Sequence, residues 1–226
     1  MGRLQDLPEE FRQQVMQERR RRREHAVAVV EACKVGDAER FYRLAYPYDD
    51  WPRGFWTPAL RMIARSVSKV TPEIQAAFRE VWFATKMLNW GCDDHRALCQ
   101  ALRILMPKYK GPELRLYRGA AALERRRRQY GISWTSSLSA AEEFAEGYRE
   151  WPEGSIVLET IATPAAIISA IEYPPPITEA EKVEAGLPPN AKVTEWHEEC
   201  EYFVDRRLLG SVTVLRRYLA TQPARD

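Results

Sequence analysis

Side chains able to do chemistry concentrate in three short segments in the second half of the 226-residue chain. They are Leu116-Tyr117-Arg118-Gly119, then Ser133-Trp134-Thr135-Ser136-Ser137, then Glu199-Cys200-Glu201-Tyr202-Phe203-Val204. An arginine offers a planar, permanently charged fork that grips phosphate through two parallel N–H bonds. A row of hydroxyls orients a neighbouring group by hydrogen bonding. A fixed carboxylate stabilises the positive charge that develops on a sugar when a glycosidic bond breaks. Each segment alone has an ordinary reading: a strand-end arginine, a loop with a helix cap, or solvated strand charges. The joint pattern, each segment at a predicted strand, is what points to chemistry.

Spacing sharpens the pattern. Arg118 lies two and four residues from Leu116 and Leu114, so alternation puts all three on one face of a strand. Gly119 has no side chain and lets another group approach the backbone closely. Glu199 and Glu201 share a face, and Glu198 takes the other.

The order arginine, hydroxyl cluster, paired glutamates resembles the mono-ADP-ribosyltransferases that carry an Arg, a Ser-Thr-Ser type motif and a Glu-x-Glu. The resemblance covers residues 112 to 217, and GISWTSSLSAAEEFA is similar to the second motif with its following helix. It implies a split antiparallel β-sandwich whose cleft holds NAD as a substrate. It also implies Arg118 on the pyrophosphate, Gly119 near the nicotinamide amide, and Glu201 on the ribose beside the forming oxocarbenium ion. Thr135, Ser136 and Ser137 would orient Glu201 and line the cleft. Threonine stands where the family's first serine is expected, and Ser133 is a rival for that position. Glu199 would assist the acceptor nucleophile, with Trp196 and His197 on the acceptor-recognition loop. Phe144 and Arg149, with Tyr148 and Trp151 nearby, fall where further cofactor contacts belong; Tyr148 and Trp151 also read as packing residues. Neither metal nor other cofactor is implied.

The elements that must hold these residues divide near Gly111-Pro112. Residues 1–110 read as helical and 111–226 as a mainly β domain, an α+β protein. Pro8-Glu9-Glu10 opens a helix running to about Lys34, with Gly36-Asp37 ending it. Thr57-Pro58 and Thr71-Pro72-Glu73 are two more starts, each a capping hydroxyl before a proline. Ile74, Phe78, Val81, Trp82 and Met87 recur near helical spacing. Asp93 or Asp94 caps a helix with Leu98, Leu102 and Leu105 inward. Strands are expected over 114–117, 132–135, 155–161, 166–171, 202–204 and 211–215. Ser139-Ala140-Ala141-Glu142 reads as a capping box opening a helix through Phe144 and Tyr148. Residues 174–189 form a proline-punctuated connection.

A net charge of +2 does not announce a nucleic-acid binder, but the basic residues cluster. Runs from Arg19 to Arg23 and from Arg125 to Arg128 read first as solvated helix surface, second as phosphate grips for RNA or DNA. Tyr46, Tyr48, Trp51, Phe55 and Trp56 can stack on bases, though packing is the favoured use. Cys92, His95 and Cys99 share a helix face, but no second ligand pair accompanies them, so a buried cysteine pair with a capping histidine is expected. No signal segment or ~20-residue apolar span is visible, and the four cysteines make no disulfide framework, so a cytoplasmic setting without membrane attachment is expected. The favoured acceptor is a protein side chain, an arginine among the candidates. Rival readings are transfer to RNA or DNA, NAD hydrolysis by a toxin, and a binding module without catalysis. The setting (toxin, phage effector, defence or regulation) is left open.

Overall fold

Proline at position 8 and the acids after it suit a helix start, where the missing N–H costs nothing and negative charge meets the positive helix end. The structure, a computed structural model, describes residues 8–46, 52, 54–84, 92, 94–172 and 200–221. That first helix is α1, Glu9–Val35. It stops at Gly36, whose φ of 74° is left-handed and whose N–H closes on the carbonyls of Ala32 and Cys33. The chain forms two units, Met1–Pro107 and Lys108–Asp226.

In the first unit, α1 buries Ala26, Val29, Val30, Ala32 and Cys33, all in its C-terminal half. The run from Arg19 to Arg23 therefore sits on the part of α1 that packs least, with Arg20 held by Glu24 and Arg22 by Glu18. The Asp37 side chain accepts from Arg40 N–H and opens α2, Ala38–Ala45, a helix the sequence reading lacked. Helix α3, Trp56–Ser66, starts one residue before Thr57, so Thr57 is not its cap. The cause is burial: Phe55 and Trp56 sink into the core and lie 4.9 Å apart, with Trp56 edge-on to Phe78. Those two aromatics pack, as favoured over base stacking. Tyr48 and Trp51 lie outside the described residues. Thr71 Oγ1 accepts from Ile74 N–H at the start of α4, Pro72–Ala84. Asp94 caps α5, His95–Leu105, by accepting from Ala97 N–H at 3.0 Å.

The second unit contains β1 (Leu114–Ala121), α6 (Ala122–Arg127), β2 (Ser133–Thr135), α7 (Leu138–Gly147), β3 (Ser155–Ala162), β4 (Ile167–Glu172), β5 (Cys200–Val204), a 3-10 turn (Arg206–Leu208) and β6 (Val212–Tyr218). The strands make one six-stranded sheet in the order β4-β5-β2-β1-β3-β6, antiparallel throughout. The fold is α+β. Among the described residues the strands do not separate into two sheets; instead β1 and β2 are joined by a single pair, Tyr117 with Thr135. By contrast β1 pairs with β3 along its whole length.

Each face of the sheet has its own packing. One face carries Leu116, Ala120, Trp134, Ile156, Leu158 and Val204 in the main core of the unit. The other carries Val157 and Tyr117 under α7, which contributes Ala141 and Ala145. The cap of α7 is Ser137, accepting from Ala140 N–H at 3.2 Å, not Ser139. Starting the helix two residues earlier turns both alanines to the sheet, and Glu142 reaches Arg216 of β6 instead of closing a capping box.

Candidate functional site

Strand order brings the three motif segments side by side, because β5, β2 and β1 are consecutive neighbours. Thr135 pairs directly with Glu201, and Tyr117 pairs with Thr135. Paired residues present their side chains on the same face, with Cβ atoms about 5 Å apart. Continuing the register, Ile171 lies beyond Glu201 and Glu159 beyond Tyr117. One face of the sheet therefore carries a row Glu201, Thr135, Tyr117, Glu159.

Thr135 is buried, and its Oγ1 accepts from Ser137 N–H at 3.0 Å. That bond turns the chain out of β2 into α7, so the helix start, with its unpaired N–H donors, sits next to the Thr135–Glu201 pair. Ser133 is one row along on the same face, opposite Phe203. Ser136 is exposed, and Ser137 is committed to its cap and to Ser139.

Arg118 departs from this row. Being adjacent to Tyr117, it points to the opposite face, with Leu116 and Ala120. Its guanidinium forks onto Glu124 of α6 through Nε at 3.2 Å and Nη2 at 3.0 Å. Nη1 donates to the Ser133 carbonyl at 2.8 Å. Glu124 also accepts from Gly131 N–H, and a Cβ at Gly131 would sit 2.2 Å from Arg118 Nη2. Register explains the arrangement. The antiparallel partner of Ser133 on β1 would be Gly119, but β1 and β2 have parted there, so the guanidinium takes the place of a backbone donor. The arginine, hydroxyl and carboxylate are thus neighbours in the sheet, yet they do not converge from one face.

Gly119 has a different cause from the one expected. A Cβ there would lie 2.2 Å from Ala141 O and 2.4 Å from Ala145 N, so the backbone brought close is that of α7. Phe144, on the same helix, is exposed, with its Cβ also near Gly119. Arg149 pairs with Glu146 and lies over the Tyr218 ring, while Tyr148 packs edge-on against Trp151. Trp196, His197, Glu199 and the connection 174–189 lie outside the described residues.

Two members of the row escaped the sequence reading, Tyr117 and Glu159. Glu159 is the one acid inside the apolar run of β3, a signal that was readable. Its carboxylate meets Arg115 at 2.7 Å. The run from Arg125 to Arg128 spans the end of α6, where Arg125 bonds the Tyr130 hydroxyl and Arg126 pairs with Glu153. In the first unit, Cys99 Sγ is 3.4 Å from His95 Nε2, and Cys92 Sγ donates to the Asp94 carbonyl. No helix among the described residues is long and apolar enough to cross a membrane. Comparison with protein-family models, curated proteins and solved structures gives no match to the chain.

Proposed function

We propose that the chain is an NAD-dependent mono-ADP-ribosyltransferase of the Arg, hydroxyl, Glu-x-Glu type, its second unit a variant of that fold. The observation that carries the reading is the direct pairing of Thr135 with Glu201 beside the strand that bears Arg118. The bond between nicotinamide and ribose breaks with its electron pair leaving on nicotinamide. Glu201 stabilises the oxocarbenium ion that remains. The acceptor nucleophile then bonds to the ribose carbon and loses a proton, so NAD and acceptor give ADP-ribosyl-acceptor, nicotinamide and a proton. Thr135 fixes the start of α7 beside Glu201. Arg118 holds the Glu124 carboxylate in bidentate fashion on the other face of the sheet, and the NAD phosphate reaches it where β1 and β2 part, by displacing that carboxylate. Glu199 assists the acceptor.

A protein side chain is the favoured acceptor. Exposure of most of the run from Arg19 to Arg23 favours a second reading, transfer to RNA or DNA. Incubation of the full chain with labelled NAD and cell lysate tests both: label in protein supports the first, label in nucleic acid the second. Label above background that Glu201→Gln abolishes is the expected result. An unlabelled lysate, or full activity in Glu201→Gln, refutes the proposal.

A further inference from the structure

Within the helical unit, a hollow of about 260 Å³ is lined by Arg61 and Arg65 of α3, by Arg96 and Gln100 of α5, and by Asp94. Arg61 and Arg65 stand one helical turn apart, which puts two like charges on the same face. Among the described residues Asp94 is the one acid on the wall, and both its oxygens are used, Oδ1 by Ala97 N–H and Oδ2 by Arg61 Nε at 2.8 Å. Those two bonds hold its carboxyl below the ordinary range, so its charge is fixed and already committed. Among the described residues the wall carries three arginines against that one carboxylate. Neither Arg65 nor Arg96 has a hydrogen-bonded or ion-paired partner among the described residues, whereas Arg12, Arg20 and Arg22 on α1 each have a glutamate. The hollow opens at the start of α5, where first-turn N–H groups lack helical acceptors and the helix end is positive.

We propose that this hollow is an anion site for a small phosphate-bearing ligand, gripped by Arg65 and Arg96 with Gln100 as a further donor. Its volume lies under the ~300–1,000 Å³ of pockets that enclose drug-sized ligands, so it takes a phosphate with a short appendage. The site is separate from the motif residues of the second unit and does not depend on the transferase reading.

The test is titration of the isotope-labelled full chain with inorganic phosphate, with chloride adjusted to keep ionic strength constant. Saturable shifts of the Arg96, Ala97 and Gln100 amides are expected. Arg65→Ala with Arg96→Ala should raise the dissociation constant by at least about tenfold, because the bidentate contacts go. Both arginines are exposed, so that variant should fold, and an unchanged circular dichroism spectrum checks it. Replacing both with Lys should give an intermediate loss. A nucleoside monophosphate binding more tightly than phosphate identifies a ligand with an appendage; equal affinities identify the free anion. Wild-type affinity in the double variant, or linear shifts spread over every basic surface, overturns the proposal.

Discussion

Arg118→Ala should weaken the fold before any ligand is considered. The substitution removes the donor on the Ser133 carbonyl, where an unmet buried acceptor costs about 1–3 kcal/mol, and two charge-assisted contacts to Glu124, together about 1.5–3 kcal/mol. The pair is 15% and 24% exposed, so water screens part of this, and the net loss expected is about 2–4 kcal/mol. Glu124→Gln keeps an acceptor for Gly131 N–H but drops the charge, for a loss of about 1–2 kcal/mol. In a double-mutant cycle the two should couple by at least about 1 kcal/mol. Urea unfolding followed by tryptophan fluorescence reads this out, since Trp134 bonds the Gly131 carbonyl in the same core. The functional arm uses the same variants. If phosphate exchanges for the carboxylate, Arg118→Ala weakens NAD binding and Glu124→Gln strengthens it. An unchanged unfolding midpoint in Arg118→Ala, with no coupling in the cycle, refutes the account of Arg118 as the closure between β1 and β2.

Gly119→Ala should cost about 3 kcal/mol or more, at the top of the usual overpacking range, because both clashing atoms are backbone; a loss under about 1 kcal/mol in urea unfolding contradicts the packing of α7 on β1. Thr135→Val should cost about 1–2 kcal/mol by orphaning Ser137 N–H, with Thr135→Ser close to wild type. If Ser133→Ala rather than Thr135→Val lowers NAD turnover, the hydroxyl of the motif is Ser133. Burial pushes the Cys33 thiol from 9.0 up to about 12. The folded state then binds the proton more tightly than the unfolded, so this contribution is complete below about pH 9 and is lost as pH rises towards about 12. Stability measured at increasing pH should fall over that window, and Cys33→Ala should flatten the fall; an equal slope in the variant rules the thiol out.

How far the sequence carried depends on the range of the forces involved. The long amphipathic helices were readable because their signals are local: Glu9 and Glu10 at one end, Gly36 at the other, and Asp94 over Ala97. Helix α2 was missed because eight residues give little period to read, although Asp37 was a fair cap. Two helix starts were misplaced, at Thr57 and Ser139, and in both, burial overrode local capping: Phe55 and Trp56 in one, Ala141 and Ala145 in the other. The same-face pairing of Thr135 with Glu201 follows from alternation once the strands are neighbours. What alternation also dictated, and motif order concealed, is that Arg118 faces away from Tyr117 and hence from that pair. Glu124 as its partner arises from a six-residue helix that no periodicity announces.

Most sheets loosen from their outer strands inward, because that is where amides lack neighbours. Here the weakest rung lies in the middle: β1 is latched to β3 by eight pairs but to β2 by one. Breathing of this sheet is therefore central, and the amides flanking Tyr117 and Thr135 should exchange with solvent sooner than those of β3. A guest molecule entering at that point need displace only one rung and one guanidinium, leaving both ribbons of strands intact.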